Sequence, residues 1–395
     1  MREIRVLVVD DSTVARRVLR EIIEDEPGLC VAGLAIDGRQ ALAMLDESDP
    51  DLVTLDIEMP EMDGLTALKE LRRRRPRLPV IMFSTLTHRG ASATIEALSL
   101  GASDYVAKPV GAGGLREHME RLRLELVPRI RALARMGGWE SRPIAQVPET
   151  SPLPSPTPRR EPFPAERVLS PSRPTSSAGR ALDPSAPGRQ LTQAAELLLI
   201  GVSTGGPSAL ARLLPSLPDP FPVPVLIVQH MPPLFTRMLA ERLDQLCPLQ
   251  VREAEPGIRP EPGEVWLARG DRHLEVARES GRLALCEHQG PPVNSCRPAV
   301  DLLFLSAARA CGSSAVALVL TGMGHDGLDG ARAIRAAGGL VLAQDEESSV
   351  VWGMPGAVAG AGLADAVLPL EALGAQVAQL LRPARLAAGR IPACR

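Results

Sequence analysis

Three residue types that together make a nucleophile, its base and an orienting carboxylate each follow an apolar, strand-like run. Ser203 lies in LLLIGVSTGGPSAL (Leu197–Leu210), His230 follows VLIVQ, and Asp326 lies in LVLTGMGHDGLDG. A serine loses its proton at neutral pH only with a base beside it, and a carboxylate fixes that base's tautomer. Ser203 stands between Gly201 and Gly205 in a Gly-x-Ser-x-Gly turn. Glycines there let the hydroxyl stand exposed at a strand end, and the amides opening the next helix point at a developing anion. A phosphate-cradling loop over Ser203–Pro207 has nearly the same sequence and would make this region a nucleotide-binding module instead. That reading explains Ser203 but not the other two strand ends, and the G-x-G-x-x-G fingerprint with its later acid is absent. His325 adjoins Asp326 and competes for the role of base, although neighbours on one turn rarely point together. His273 opens a strand and His288 sits in a proline loop, which suits packing or surface roles; Asp329 falls one turn into the following helix.

A second set of chemical residues sits near the N-terminus. Asp10 and Asp11 follow the apolar run Ile4–Val9, Asp56 follows Leu52–Leu55, and Lys108 with Pro109 follows Tyr105–Ala107. In a parallel sheet these run ends converge on one crevice. Three carboxylates at one spot repel unless a hard cation joins them, and Mg²⁺ with oxygen ligands fits. Lys108 would neutralise a phosphoryl group there.

The elements that must position both sets alternate strand and helix patterns. Residues 1–125 carry strand candidates at Ile4–Val9, Leu52–Leu55, Val80–Phe83 and Tyr105–Ala107. Residues 191–383 carry others at Leu197–Ile200, Val225–Val228, Val265–Leu267, Ala315–Leu320 and Leu340–Ala343, with a hairpin near Leu274–Cys286 turning at Ser280-Gly281. This is an α/β chain with two doubly wound parallel sheets. Residues 115–135 read as a solvated, basic helix leaving the first unit. From Gly137 to about Gln190 proline, serine and arginine dominate, so the segment cannot bury enough apolar area to offset its ordering entropy. A linker of that length spans roughly 40 Å as a flexible coil. The expected division is 1–125, a helical exit and linker at 126–190, a catalytic unit at 191–385, and a tail at 386–395.

Composition narrows the classes further. The chain has 395 residues, 45% of them hydrophobic, with a formal charge of -3, which gives no electrostatic argument for nucleic acid. No basic helix-turn-helix is evident, no apolar run is long enough to cross a bilayer, and MREIRVLVVDD lacks a signal-peptide pattern. The six cysteines are scattered without C-x-x-C pairing, so they read as reduced packing residues of a cytosolic protein, and a structural zinc site is not expected.

The N-terminal pattern resembles a response-regulator receiver domain over roughly residues 3–125. That resemblance implies Asp56 as phosphoryl acceptor, Asp10, Asp11 and Asp56 as the Mg²⁺ site, and Lys108 as phosphate contact. It also implies Ser84 as the switch hydroxyl, ahead of its neighbour Thr85, and Tyr105 as the rotating aromatic. The stretches GVSTGGPSAL, QHMPPLFTRMLAERL, RPAVDLLFLSAA and LTGMGHDG resemble the chemotaxis methylesterase (CheB) family. This implies a protein-glutamate methylesterase that also deamidates glutamines, with Ser203 as nucleophile, His230 as base and acid, and Asp326 as orienting carboxylate. Thr204 and Met323 match positions lining the family's site, where backbone amides hold the oxyanion. The implied partners are methyl-accepting chemoreceptors as substrate and a chemotaxis-type histidine kinase as phosphodonor; ester hydrolysis itself needs no cofactor. The linker is longer than a compact family member needs.

Overall fold

The computed structural model describes residues 2–85, 87–108, 114–136 and 193–381. The Pro/Ser/Arg-rich stretch, Pro109 and the C-terminal tail lie outside these described residues.

The first sheet is built from β1 (Ile4–Val9), β2 (Leu29–Ala35), β3 (Leu52–Asp56), β4 (Val80–Ser84) and β5 (Asp104–Ala107). Its order is β2-β1-β3-β4-β5, and every pairing is parallel. The strand order reverses between β1 and β3, so the crevice at their carboxyl ends is bounded by Asp10 and Asp56. Helices α1 (Thr13–Glu24), α2 (Gly38–Ser48), α3 (Gly64–Arg74), α4 (His88–Ser99) and α5 (Leu115–Met136) complete this unit. The first four start on side-chain caps from Ser12, Asp37, Asp63 and Thr87, which satisfy amides that the helix itself leaves free.

Helix α5 corrects one expectation. It is not solvated all round: Leu122, Leu126, Val127, Ile130 and Leu133 are buried and pack with Leu19, Ile22 and Ile23 of α1. Its polar face carries the arginines, and that face dominates the composition. The helix also runs through residue 125 without a break, so the boundary expected there falls inside it.

The second sheet has seven strands in the order β14-β13-β12-β6-β7-β9-β8, all parallel. They are β6 (Leu197–Val202), β7 (Val225–Gln229), β8 (Gln250–Glu253), β9 (Glu264–Leu267), β12 (Ala315–Val319), β13 (Leu340–Gln344) and β14 (Ala366–Leu368). Leu198, Ile200 and Val202 of β6 enter one core while Leu197 and Leu199 enter the other. A strand apolar on both faces is what a sheet covered by helices on both sides requires. The covering helices are α6 (Gly206–Leu213), α7 (Pro233–Leu246), α8 (Val300–Cys311), α9 (Leu328–Ala336), α10 (Met354–Gly360) and α11 (Leu370–Leu380). β10 (His273–Glu279) and β11 (Arg282–His288) form the expected hairpin, turning at Ser280 and Gly281, both at positive φ.

The two units are packed together. Tyr105 of β5 stacks on Phe235 of α7 with ring centroids 4.8 Å apart. Ser208 Oγ of α6 donates to the Leu98 carbonyl of α4 at 2.7 Å. Ile95 and Leu98 share one apolar cluster with Leu210, Phe235 and Leu239.

Candidate functional site

In the second sheet β12, β6 and β7 are neighbours, and the residues just past their carboxyl ends are the ones that sequence chemistry singles out. Register is level across them: Val202 pairs with Gln229, and Val319 with Gly201. Ser203 therefore follows the central strand, His230 follows its neighbour on one side, and the Thr321–Asp326 loop follows the other. Ser203 and His230 are half-buried and Asp326 is buried.

The loop that carries Ser203 is held by groups outside its own sequence motif. Ser203 N donates to the Thr321 carbonyl at 3.0 Å, and Thr321 Oγ1 donates back to the Thr204 carbonyl at 2.9 Å. Gln229 Nε2 donates to the Ser203 carbonyl at 3.0 Å. Gly205 has φ +78°, where a Cβ is strained, and that Cβ would also lie 2.5 Å from Val350. At Gly322 a Cβ would lie 2.8 Å from that of Ser203, so the two loops close on each other only without a side chain there. Gly205 and Gly327 also precede α6 and α9 without side-chain caps, unlike the capped helices of the first unit. Among the described residues, Thr204 N and Met323 N donate to no protein group.

His230 Nε2 lies 2.8 Å from Asp326 Oδ2, leaving Nδ1 as the second nitrogen. Nδ1 faces Cys296 Sγ at 3.6 Å. Asp326 is fixed from several sides: Val300 N and His230 reach Oδ2, while Asp301 N, Gly327 N and Asn294 Nδ2 reach Oδ1. Burial disfavours its anion, but these donors outweigh burial and hold the carboxyl at about 2. Burial likewise disfavours the imidazolium of His230; the hydrogen bond to Asp326 and the contact with Cys296 outweigh it and lift the imidazole to about 9.

Asn294 and Cys296 come from a tight turn over Val293–Cys296. Its two backbone hydrogen bonds are 3.0 and 2.8 Å, and Asn294 and Ser295 sit at φ +51° and +62°. The Asn294 amide also donates to Asp301 Oδ2 at 2.8 Å and so bridges two buried carboxylates. Burial and the nearby Asp326 raise the Asp301 carboxyl, against the lowering effect of Gly330 N and Asn294. The only sequence signal for this turn is the pair of polar residues in PPVNSCRP, which is weak by itself.

The competing residues separate cleanly. His325 is exposed, and Asp329 is exposed in the first turn of α9. His273 is buried and its Nε2 pairs with the Pro291 carbonyl, while His288 pairs with Glu275. None of these four takes part in the His230–Asp326 pair.

In the first sheet Asp10, Asp11 and Asp56 each offer a carboxylate oxygen within 4.8 Å of the others. Burial raises the Asp56 carboxyl to about 6, with Asp10 adding to this and Lys108 opposing it. Lys108 Nζ lies 2.7 Å from Asp56 and 3.1 Å from Asp10. Asp10 Oδ2 is buried, and among the described residues the Lys108 ammonium is the group that faces it. Three carboxylates crowded around one ammonium leave excess negative charge on an all-oxygen donor set, which fits a hard divalent cation. Ser84 Oγ donates to the Gly90 carbonyl at 3.0 Å, and Tyr105 is turned to the second unit, stacked on Phe235.

The two units are joined by a short polar chain. Thr204 Oγ1 donates to Asp104 Oδ2 at 2.8 Å, and Arg129 Nε of α5 donates to the same oxygen at 3.0 Å. The residue after Ser203 is thus buried against the residue before Tyr105. Met323 and Val350 pack on the apolar cluster that contains the buried face of α5.

Comparison with known proteins places these features in context. The CheB methylesterase family matches residues 198–377, and the response regulator receiver domain family matches residues 6–120. The protein-glutamate methylesterase/protein-glutamine glutaminase of a Nocardioides species is 48% identical, with 99% of this chain and 100% of the relative covered. The protein of the same description from Trichodesmium erythraeum is 44% identical, covering 95% of this chain and 99% of the relative. Among solved structures, the Thermotoga maritima CheB methylesterase catalytic domain is 42% identical and covers 48% of this chain and 100% of that one, with a TM-score of 0.47.

Proposed function

The chain belongs to the protein-glutamate methylesterase/protein-glutamine glutaminase (CheB) family, and from that premise we propose how its own residues perform the reaction. The enzyme hydrolyses methyl esters of glutamate side chains on chemoreceptors, and glutamine amides there, under control of its receiver. Ser203 Oγ attacks the side-chain carbonyl as His230 Nδ1 takes its proton. His230 then returns that proton to the leaving methanol, or to ammonia from glutamine. Water repeats the sequence on the acyl-serine and frees glutamate. Asp326 holds Nε2–H and stabilises the imidazolium formed in each step. Thr204 N and Met323 N donate to the oxyanion as it develops. The observation that carries this reading is the 2.8 Å His230–Asp326 contact on strand ends adjoining that of Ser203.

The receiver unit comprises the first sheet with all of α5, the catalytic unit begins near residue 191 and extends to about 385, and the residues between connect them. A histidine kinase of the chemotaxis type supplies the phosphoryl group to Asp56. Asp10, Asp11 and Asp56 would hold Mg²⁺, which supplies charge neutralisation for that transfer. Lys108 then contacts the phosphoryl oxygens, and Ser84 leaves Gly90 for them. Tyr105 follows and gives up its stack on Phe235, which loosens the contact over Thr204. The unphosphorylated receiver therefore restrains the esterase, and the reaction takes place in the cytoplasm.

The test is methanol release from methylated receptor membranes. Wild-type protein releases methanol faster with a small phosphodonor and Mg²⁺. Ser203→Ala reduces release by about 10⁶ while the fold persists. A folded variant with a tenth of wild-type turnover would overturn the assignment.

A further inference from the structure

Cys296 carries out no step of the esterase reaction, yet its sulfur faces the working nitrogen of the base. The Sγ–Nδ1 separation is 3.6 Å. Two ligands on one tetrahedral zinc, with bonds near 2.3 Å to sulfur and 2.0–2.1 Å to nitrogen, lie about 3.5 Å apart. The other imidazole nitrogen already meets Asp326 Oδ2 at 2.8 Å. A histidine that ligates a metal almost always donates its second N–H to a carboxylate, which fixes the tautomer and raises the basicity of the ligating nitrogen. That outer partner is in place, and it is itself held by backbone amides and Asn294. The backbone that carries the thiol is held too, because Cys296 closes the hydrogen-bonded turn with Val293. Among the described residues this is the one potential metal cluster that contains sulfur; the other, Asp10, Asp11 and Asp56, offers oxygen alone.

We propose that His230 Nδ1 and Cys296 Sγ form an inhibitory site for a thiophilic divalent cation of the zinc type, with Asp326 as the outer carboxylate on Nε2–H. Water completes the coordination. Binding needs a thiolate and an unprotonated Nδ1, so the thiol proton and the Nδ1 proton of the imidazolium both leave to solvent. The cation occupies the nitrogen that must accept the Ser203 proton, so the loaded enzyme cannot start the reaction. Inhibition rests on the esterase reading given above, whereas cation binding does not.

Cobalt(II) makes the two claims separable. The reduced, chelator-stripped full chain is titrated with Co²⁺ without oxygen, and the near-ultraviolet thiolate-to-cobalt band is followed. Wild-type protein gains the band, and Cys296→Ser fails to gain it. Asp326→Asn keeps the band but weakens binding by about 10- to 100-fold, the usual effect of removing an outer carboxylate. Cobalt on the receiver carboxylates gives no thiolate band and does not interfere. In parallel, Zn²⁺ stops methanol release by wild-type protein, a chelator restores it, and Cys296→Ser, scored against its own metal-free rate, tolerates at least about tenfold more zinc. No thiolate band in wild type, or an undiminished band in Cys296→Ser, overturns the metal site and leaves the esterase reading intact. A band with undiminished turnover overturns the inhibition and also counts against His230 as the base.

Discussion

Replacing Asp104 by asparagine should release the esterase from its receiver without touching either reactive centre. Asp104 Oδ2 accepts from Thr204 Oγ1 on the catalytic side and from Arg129 Nε on the receiver side, and the Asp104 side chain is only 8% exposed. Hydrogen bonds to a charged group contribute about 1.5–3 kcal/mol, against about 0.5–1.5 for neutral pairs. Asparagine keeps the shape, but its single carbonyl must now serve both donors with no net charge. The docked state then loses about 1–1.5 kcal/mol relative to the undocked one, close to tenfold in the docking equilibrium. Basal methanol release by the unphosphorylated full chain should rise by roughly that factor. Adding a phosphodonor with Mg²⁺ should add less than it does to wild type, because both proteins approach the same undocked ceiling. Phosphoryl uptake at Asp56 and the melting temperature serve as controls for an intact receiver. An unchanged basal rate in a variant that still folds and takes up phosphate would refute the claim that this contact holds the receiver on the site.

The proposed roles of His230 and Asp326 set a pH dependence. His230 must shed its proton to act as base, so kcat/KM should climb as pH rises toward about 9 and level off beyond it; a flat profile over that climb would contradict the assignment. By linkage, an imidazole raised from 6.5 to about 9 stabilises the fold fully below its ordinary value, and that contribution is lost as pH climbs through the raised one. Chemical denaturation at several pH values checks this. Asp326→Asn should lower kcat by about 10⁴ through tautomer and orientation, and move the pH profile down, while His325→Ala has little effect. The reversed pattern would make His325 the base. Asn294→Leu removes the amide bridging Asp301 and Asp326, leaving buried acceptors short of a donor at about 1–3 kcal/mol. It should cut kcat by roughly 10- to 100-fold with little change in KM, and wild-type kcat would refute that role.

Much of this site is legible in the sequence because its principal residues sit at the ends of apolar runs. A buried parallel strand is conspicuous, and a polar residue directly after it lies on the functional edge of the sheet, as Asp10, Asp56, Ser203 and His230 do. Adjacency of β12, β6 and β7 is not legible, since strand order depends on which crossovers pack best. The strands that escape notice are short or weakly apolar. β8 (Gln250–Glu253) is an edge strand with one buried residue, and the middle of β2 (Leu29–Ala35) is only half-buried. The supporting residues escape for another reason. Gln229 sits inside a strand pattern, Thr321 beside a glycine, and Asn294 and Cys296 in a turn, and each works through one hydrogen bond or contact that only the assembled loops create. The amphipathicity of α5 was outweighed by its arginines, which occupy the face turned to solvent or to Asp104 and Glu26.

The central claim is that Ser203, and no other group at this crowded edge, forms the covalent intermediate. It is tested most directly by reacting the full chain, with phosphodonor and Mg²⁺ present, with a serine-directed fluorophosphonate and locating the adduct by peptide mass spectrometry. The account predicts one adduct on Ser203, formed more slowly without the phosphodonor and absent from Ser203→Ala. An adduct on Cys296, or no adduct on Ser203 while methanol is still released, would contradict it.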